Sequence, residues 1–332
     1  MVVRYWRCPP LRCCAAVVNA HRTIVPAPLT RRRLLVSALA VSALSVTAAC
    51  GARPAAPARP GADDARWAEL DIALAGIEER KHIRLGVIAH DPGRNLSYIR
   101  RGEERFAMCS TFKVYAAAAI LRLHTQGRLT LDEPVPVAAA DIVVNSPVTS
   151  AAQGRTLTLA QLCEASLTRS DNTAANLLLR RLGGPAAVTG FARSLGDTAT
   201  RLDRWEPELN SAEPGDPRDT TTPTGLADGY RELLLGSGLP AAAKQTLTDW
   251  MRASVTSGER IRAGLPAGWT AADKTGGGSY GTVNDAGVVW SPGGAPLLLV
   301  LLTSSTTGRP DAPNDNAALA ETTAAVVASM TA

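Results

Sequence analysis

Lysine is scarce in this chain. Of 35 basic residues only Lys81, Lys113, Lys244 and Lys274 are lysines, leaving 31 arginines. Arginine does not give up its proton, so chemistry that needs a basic amine falls on one of those four positions. Histidine is scarce as well. Beyond the N-terminal segment only His82, His90 and His124 occur, none at metal-ligand spacing, which excludes a zinc centre. Cysteine thins out after Cys50 to Cys109 and Cys163, both in apolar helical contexts; this excludes a disulfide framework and leaves two buried thiols. No run after Cys50 is long and apolar enough to span a bilayer, and no basic run resembles a nucleic-acid footprint. What is present is a core: 332 residues, 45% of them apolar, with a net charge of +5 and acids and bases interspersed. That suits one large or two ordinary domains.

The first residues read as an address. Thr30-Arg31-Arg32-Arg33-Leu34-Leu35 precedes an apolar segment, Val36 to Ala49, of signal-peptide length. Paired arginines before Leu-Leu resemble a twin-arginine export signal. Residues 1–49 are therefore expected to be an export signal, with Met1 to Leu29 an extended or misassigned start. Residues 50–65 are expected to be a Pro/Ala-rich linker. Val46-Thr47-Ala48-Ala49-Cys50 resembles a lipoprotein box, with Thr47 where leucine or valine is usual. Lipid attachment at Cys50 and free secretion both stand as expectations, and either places the mature protein outside the cytoplasm.

The body opens with a helix, Trp67 to Glu79, marked by apolar residues at helical spacing. Arg84 to Ala89 and Asn95 to Arg100 read as a hairpin around Asp91-Pro92-Gly93-Arg94. Ser110 starts a helix that Gly127 ends. A mostly helical stretch follows, clearest over Leu157 to Ser170, Asn172 to Leu182, Thr224 to Leu235 and Ala241 to Ala253. Trp269 to Ala272, Gly281 to Ser291 and Pro296 to Thr303 read as a meander, with Gly276-Gly277-Gly278 in a turn, before a closing helix, Asn316 to Met330. The order predicts an α+β fold whose antiparallel sheet is assembled from both chain ends with flanking helices beside a helical region. The expected domain covers 66–332, with an α/β part at about 66–107 and 252–332 and a helical part at about 108–251.

Four stretches carry chemistry. In Cys109-Ser110-Thr111-Phe112-Lys113, a serine three residues ahead of a lysine shares one helical face with it. A hydroxyl needs a base to become a nucleophile, and a lysine can serve if burial or a nearby cation lowers its pKa. Ser170-Asp171-Asn172 has two readings: a helix N-cap, or a hydroxyl that relays a proton beside an amide that binds one. Arg204-Trp205-Glu206-Pro207-Glu208-Leu209-Asn210 lies in a long loop, where an acid beside tryptophan can orient water as a general base. Lys274-Thr275-Gly276 reads as a strand edge, either simply entering a turn or open to pairing with a substrate, with a cation to hold an anion.

In that order, Ser-x-x-Lys, Ser-Asp-Asn, Glu-x-x-Leu-Asn and Lys-Thr-Gly resemble the signature set of class A serine β-lactamases. The resemblance covers about Trp67 to Ala332 and extends to Ser170-Asp171-Asn172-Thr173-Ala174-Ala175-Asn176 and Arg218-Asp219-Thr220-Thr221-Thr222-Pro223. It implies that Ser110 opens the lactam ring and becomes acylated, with Lys113 as its proton partner. Either Lys113 or Glu206, acting through water, is the acylation base. The N–H groups of Ser110 and Gly277 would form an oxyanion hole, where one donor is worth roughly 3 kcal/mol. Ser170 would pass a proton to the departing nitrogen and Asn172 would bind the substrate's amide. Lys274, Thr275 and Arg260 would hold its carboxylate, with Gly276 beside them. The three cations Lys113, Lys274 and Arg260 would favour a neutral Lys113. Glu206 and Asn210 would fix the hydrolytic water, in a loop closed by an Arg204–Asp219 ion pair. The resemblance further implies a β-lactam as small-molecule partner, resistance to such antibiotics, no cofactor, no metal, no nucleic acid and a monomeric chain.

The sequence departs from the family's pattern in places. Asn145 stands before Ser146-Pro147 where an aromatic wall is frequent in the family, so that wall is expected to be open. Gly278 and Ala117 face Cys109 and Cys163 where some relatives carry a second cysteine, so both thiols are expected to be free. A D-Ala-D-Ala peptidase or a β-lactam-binding sensor domain would share Ser110, Lys113, Ser170 and Lys274. Glu206-x-x-Leu209-Asn210 speaks against both.

Overall fold

Period-two alternation in one strand organises the molecule. In the computed structural model, which describes residues 62–332, Leu297, Leu299 and Leu301 face one hydrophobic layer while Leu298, Val300 and Leu302 face another. That strand is the middle of a five-stranded antiparallel sheet. The export signal, Cys50 and most of the linker lie outside the described residues.

In chain order the elements are α1 (Ala62–Lys81), β1 (Ile83–Asp91), β2 (Leu96–Arg100), β3 (Phe106–Ala107), α2 (Lys113–Thr125), β4 (Pro134–Pro136), α3 (Pro147–Ala151), β5 (Thr156–Thr158), α4 (Leu159–Thr168) and α5 (Asn172–Leu182). There follow α6 (Pro185–Arg193), β6 (Thr220–Thr221), α7 (Pro223–Leu234), α8 (Ala241–Arg252), α9 (Ile261–Gly264), β7 (Thr270–Gly278), β8 (Thr282–Trp290), β9 (Pro296–Ser305) and α10 (Asn316–Thr331). The sheet order is β2-β1-β9-β8-β7, with Val87 opposite Leu301 and Lys274 opposite Ala286. Both chain ends contribute strands, as the sequence predicts. The layer over one face packs Leu70, Leu74 and Ile77 of α1 with Val326, Val327 and Met330 of α10. The other face meets the helical region around α2, whose residues Lys113 to Leu121 are all buried. Its alanines let α4, α5, α6 and α8 approach.

Helix ends follow local chemistry. Asp171 caps α5 by accepting from Ala174 N at 2.9 Å, and Gly183 closes it at φ 100°. Thr222 caps α7, with Pro223 in its first turn. Three expectations are corrected. Ser110 lies in a 3-10 turn, Cys109–Phe112, and the α-helix begins only at Lys113. The ladder of β4 with β5, in a stretch expected to be helical, has prolines at both ends of a short edge strand.

The third correction concerns the glycines. Gly276, Gly277 and Gly278 are not a turn; β7 runs through them and turns only at Ser279-Tyr280-Gly281. A Cβ at Gly276 would stand 2.9 Å from Met108 O, and one at Gly278 would stand 2.6 Å from Asn210 O and 2.8 Å from Cys109 Sγ. These glycines let the turn carrying Ser110 lie against the strand. A Cβ at Gly277 meets nothing nearer than 3.6 Å. Gly278→Ala is therefore expected to cost about 1–3 kcal/mol and to lower Tm by several degrees, whereas Gly277→Ala leaves it nearly unchanged. Calorimetry of the two variants side by side checks this; equal Tm values would contradict the packing argument.

Candidate active site

The turn that presents Ser110 is held from three sides. Cys109 has φ 46°, a left-handed conformation that costs energy outside glycine and persists only where the surroundings over-determine it. Thr111 N and Oγ1 donate to Met108 O at 3.2 and 2.7 Å. Asn284 of β8 reaches across and donates through Nδ2 to Ala107 O at 2.8 Å and Met108 O at 3.2 Å, while its Oδ1 accepts from Thr303 N. Tyr230 of α7 donates to Thr111 O at 2.7 Å. Sequence reasoning missed Asn284 and Tyr230. Tyr230 looks like any core aromatic, but Asn284-Asp285 inside an apolar strand was a signal, since both residue types are depleted there.

Lys113 is fully buried at the centre of the site. Its Nζ lies 2.9 Å from Glu206 Oε1 and donates to Ser170 O at 2.8 Å, Asn172 Oδ1 at 2.6 Å and Ser170 Oγ at 3.3 Å. Ser110 Oγ reaches Glu206 Oε1 at 3.4 Å, a long contact. Among the described residues no hydrogen bond joins Ser110 Oγ directly to Lys113 Nζ; the two groups meet through Glu206. Burial holds Lys113 below the usual lysine range, and the Glu206 carboxylate opposes the shift. The direction agrees with expectation, but burial is its cause. The neighbouring cations act on Lys274 instead: burial, then Lys113 and Arg260, push its amine well below the ordinary value.

Glu206 is clamped at both ends. Asn176 of α5 accepts from Glu206 N at 2.9 Å and donates to Glu206 O at 2.8 Å, and Asn210 Nδ2 donates to Glu206 Oε2 at 2.5 Å. Asn176 was missed as a site residue, although its i+4 spacing from Asn172 puts both amides on one helix face. The loop is closed as expected: Arg204 Nε lies 2.5 Å from Asp219 Oδ2. Asp219 is wholly buried, so this is no surface pair. Its Oδ1 accepts from Asp203 N and Arg204 N, and its carbonyl accepts from Met108 N at 3.0 Å. The loop's return leg thereby joins the strand leading to Ser110, through β3 and β6.

The cleft above these groups is a cavity of about 290 Å³ bordered by Ser110, Ser170, Asn172 and Asn210 on one side. Arg260, Thr275, Gly276 and Gly277 border it on the other, with Thr256, Arg169 and Asn145 at its margins. Asn145 is exposed, in keeping with an open wall. A larger cavity, about 560 Å³ behind loop 212–218, contains none of the expected residues. Both readings of Ser170-Asp171-Asn172 hold at once: Asp171 is the cap, while Ser170 and Asn172 face the cleft. Lys274 does not border the cleft; its buried amine donates to Ser170 Oγ at 3.0 Å and Thr275 O at 2.8 Å. Arg260 donates to Asn316 Oδ1, Gly276 O and Asn284 O at 2.8, 2.6 and 2.8 Å. Cys109 and Cys163 are free, and burial pushes the Cys109 thiol up to about 12. Among the described residues no cluster of potential metal ligands occurs. A buried carboxylate touching both hydroxyl and amine, beside a second hydroxyl and a cationic wall, suits acyl transfer to Ser110 followed by attack of water.

Comparison with known proteins agrees with that chemistry. The sequence model of the β-lactamase enzyme family matches residues 70–330. β-Lactamase AST-1 of Nocardia asteroides is 46% identical over 90% of this chain and 95% of its own length. A β-lactamase of Mycobacterium tuberculosis is 46% identical over 88% and 94%. Among solved structures, a β-lactamase from Desulfarculus baarsii superposes with a TM-score of 0.78 at 44% identity, covering 80% of this chain and 98% of that one. A last common ancestor of Gram-negative class A β-lactamases gives 0.75 at 49%, covering 79% and 99%.

The three-sided hold on the Ser110 turn has a measurable consequence. Asn284→Ala removes the side-chain donor that ties Ala107 O and Met108 O to β8 and leaves Thr303 N without its acceptor, at a cost of about 1–3 kcal/mol. It is expected to slow labelling of Ser110 by a fluorophosphonate about tenfold or more, since small displacements of a nucleophile are costly. Labelling at the native rate in a folded variant would show that Asn284 does not position the turn.

Proposed function

The chain belongs to the β-lactamase enzyme family and is a β-lactam hydrolase, and we propose that it opens penicillins and cephalosporins through an ester formed on Ser110. Hydrolysis of the ring confers resistance to these antibiotics. The observation that carries the mechanism is the place of Glu206: its carboxylate touches Lys113 Nζ at 2.9 Å and Ser110 Oγ at 3.4 Å and is gripped by Asn210. An acyl-enzyme beside such a base is hydrolysed, whereas a peptidase or sensor site without one would stay acylated.

In acylation Ser110 Oγ attacks the lactam carbonyl carbon and its proton passes to Glu206. The contact at 3.4 Å favours Glu206 over Lys113 for this transfer, because Lys113 makes no direct bond to the hydroxyl. The oxyanion is received by backbone N–H groups of Ser110 and Gly277. The C–N bond breaks, and the ring nitrogen takes the proton of the Ser170 hydroxyl. Glu206 passes the proton it took to Lys113 Nζ, 2.9 Å away, and is a carboxylate again. Lys113, 3.3 Å from Ser170 Oγ, replenishes that hydroxyl, and Lys274, 3.0 Å from Ser170 Oγ, holds it in place. Asn172 binds the acyl amide. Thr275 and Arg260 meet the carboxylate directly, and Lys274 supports it from behind. In deacylation Glu206 takes a proton from water, whose oxygen attacks the ester carbon. The bond from that carbon to Ser110 Oγ breaks, and Glu206 returns the proton to Oγ, 3.4 Å away, restoring the hydroxyl. Asn210 Oδ1, buried without a protein donor, is the acceptor that orients this water.

Purified protein is expected to hydrolyse a chromogenic cephalosporin with many turnovers; a single stoichiometric burst would favour the binding readings. Glu206→Gln is expected to accumulate a covalent adduct on Ser110, detected by intact-protein mass spectrometry, and undiminished turnover would remove Glu206 from the mechanism.

We further propose that the enzyme works outside the cytoplasm, exported through its twin-arginine segment. Replacing Arg32 and Arg33 by lysine is expected to retain activity inside the cell, which fractionation measures. Unchanged export would point to another route. Cys50→Ala separates lipid attachment from free secretion by its effect on membrane-bound activity.

A further inference from the structure

The border of the cleft carries two guanidinium groups and no carboxylate. Arg260 is committed, with Nε and Nη1 bound to Asn316, Gly276 and Asn284. Arg169 is different. It is exposed, and among the described residues its side chain makes no hydrogen bond and no ion pair. Several other exposed arginines of this chain are paired with carboxylates: Arg181 lies 2.6 Å from Glu133 and Arg201 lies 2.6 Å from Asp203. An uncompensated cation at the mouth of a site that takes anions will act on the substrate's charge.

Its position along the cleft decides which part of the substrate it meets. Arg169 caps the C-terminus of α4, and Val255 N donates to Thr168 O at 3.1 Å, tying this corner to segment 254–257. From that segment Thr256 Oγ1 lies 2.7 Å from Thr275 Oγ1. Arg169 therefore belongs to the Thr275 end of β7. Asn210 belongs to the other end, where its carbonyl accepts from Ser279 N at 3.0 Å. Four residue steps along the chain, about 13 Å, separate Thr275 from Ser279.

In a cephalosporin the carboxylate and the C3 substituent sit on adjacent atoms of the six-membered ring. A carboxylate held at Thr275 and Arg260 thus directs the C3 substituent toward the Arg169 end, and the acyl chain toward Asn172 and Asn210. We propose that Arg169 is a specificity-determining residue that favours cephalosporins bearing an anionic C3 substituent over those bearing a cationic one. This rests on the β-lactam hydrolase reading above.

Ceftriaxone, cefotaxime and cefepime share one acyl side chain and carry anionic, neutral and cationic C3 substituents. Their inhibition constants against a chromogenic cephalosporin, and their kcat/KM values where turnover is measurable, provide the test. The native enzyme is expected to favour ceftriaxone over cefepime by about tenfold at low salt, with cefotaxime between. The preference shrinks in 1 M NaCl, where the screening length falls to about 3 Å. Arg169→Gln flattens the series to within about threefold and Arg169→Glu reverses it. Each readout is a ratio within one variant, so loss of folded protein cancels. A native series without this order, or a series unchanged in Arg169→Gln, overturns the proposal. Failure to turn over any β-lactam would instead overturn the hydrolase reading.

Discussion

The contact between Lys113 and Glu206 is the constraint around which the rest of the site is built. Two ionisable groups taken out of water at 2.9 Å are stable only if their remaining hydrogen-bonding capacity is met by protein. The structure meets it. Asn172 and the Ser170 carbonyl take up the amine, and Asn210 and Ser110 take up the carboxylate. The partners come from the turn leading into α2, from the start of α5 and from loop 203–219, so all three must be in register for the pair to exist. The buried Arg204–Asp219 bridge and the short β3–β6 ladder lock that loop onto the turn presenting Ser110.

The frame that holds the register is apolar. β9 lies between two hydrophobic layers and contributes to each with alternate residues, which leaves little freedom for the sheet to slide. β7 is the edge of that sheet, and its glycines admit the Ser110 turn on one side while Thr275 and Gly277 border the cleft. The cleft thus has a rigid strand for a wall, with charge concentrated behind it. Lys274 illustrates this: its amine is set behind Ser170, where it biases proton transfer without itself bordering the cleft.

Much of this was legible. The helix Asn172–Leu182 ends where its asparagine, aspartate and glycine chemistry says it should, and the four motifs fall together in one cleft. Less legible were groups whose role depends on reaching across space. Asn284 and Tyr230 contact backbone more than a hundred residues away. Asn176 was readable only as a helix-face neighbour of Asn172, and its grip on Glu206 came from the packing of the loop. The glycines of β7 looked like a turn because local propensity cannot tell a flexible glycine from one excluded by a neighbouring chain.

Sequence alone determined the chemical inventory: a serine three residues before a rare lysine, a second hydroxyl, a loop acid with its asparagine, and a lysine-threonine edge. Residue identity and short-range spacing suffice for that, because they decide which groups can donate, accept or ionise. Tertiary structure decided the states and partners of those groups. Lys113 loses basicity through burial, not through neighbouring cations, and its route to Ser110 runs through Glu206. Both outcomes depend on solvent exclusion and on distances between residues far apart in the chain, quantities that no local pattern encodes.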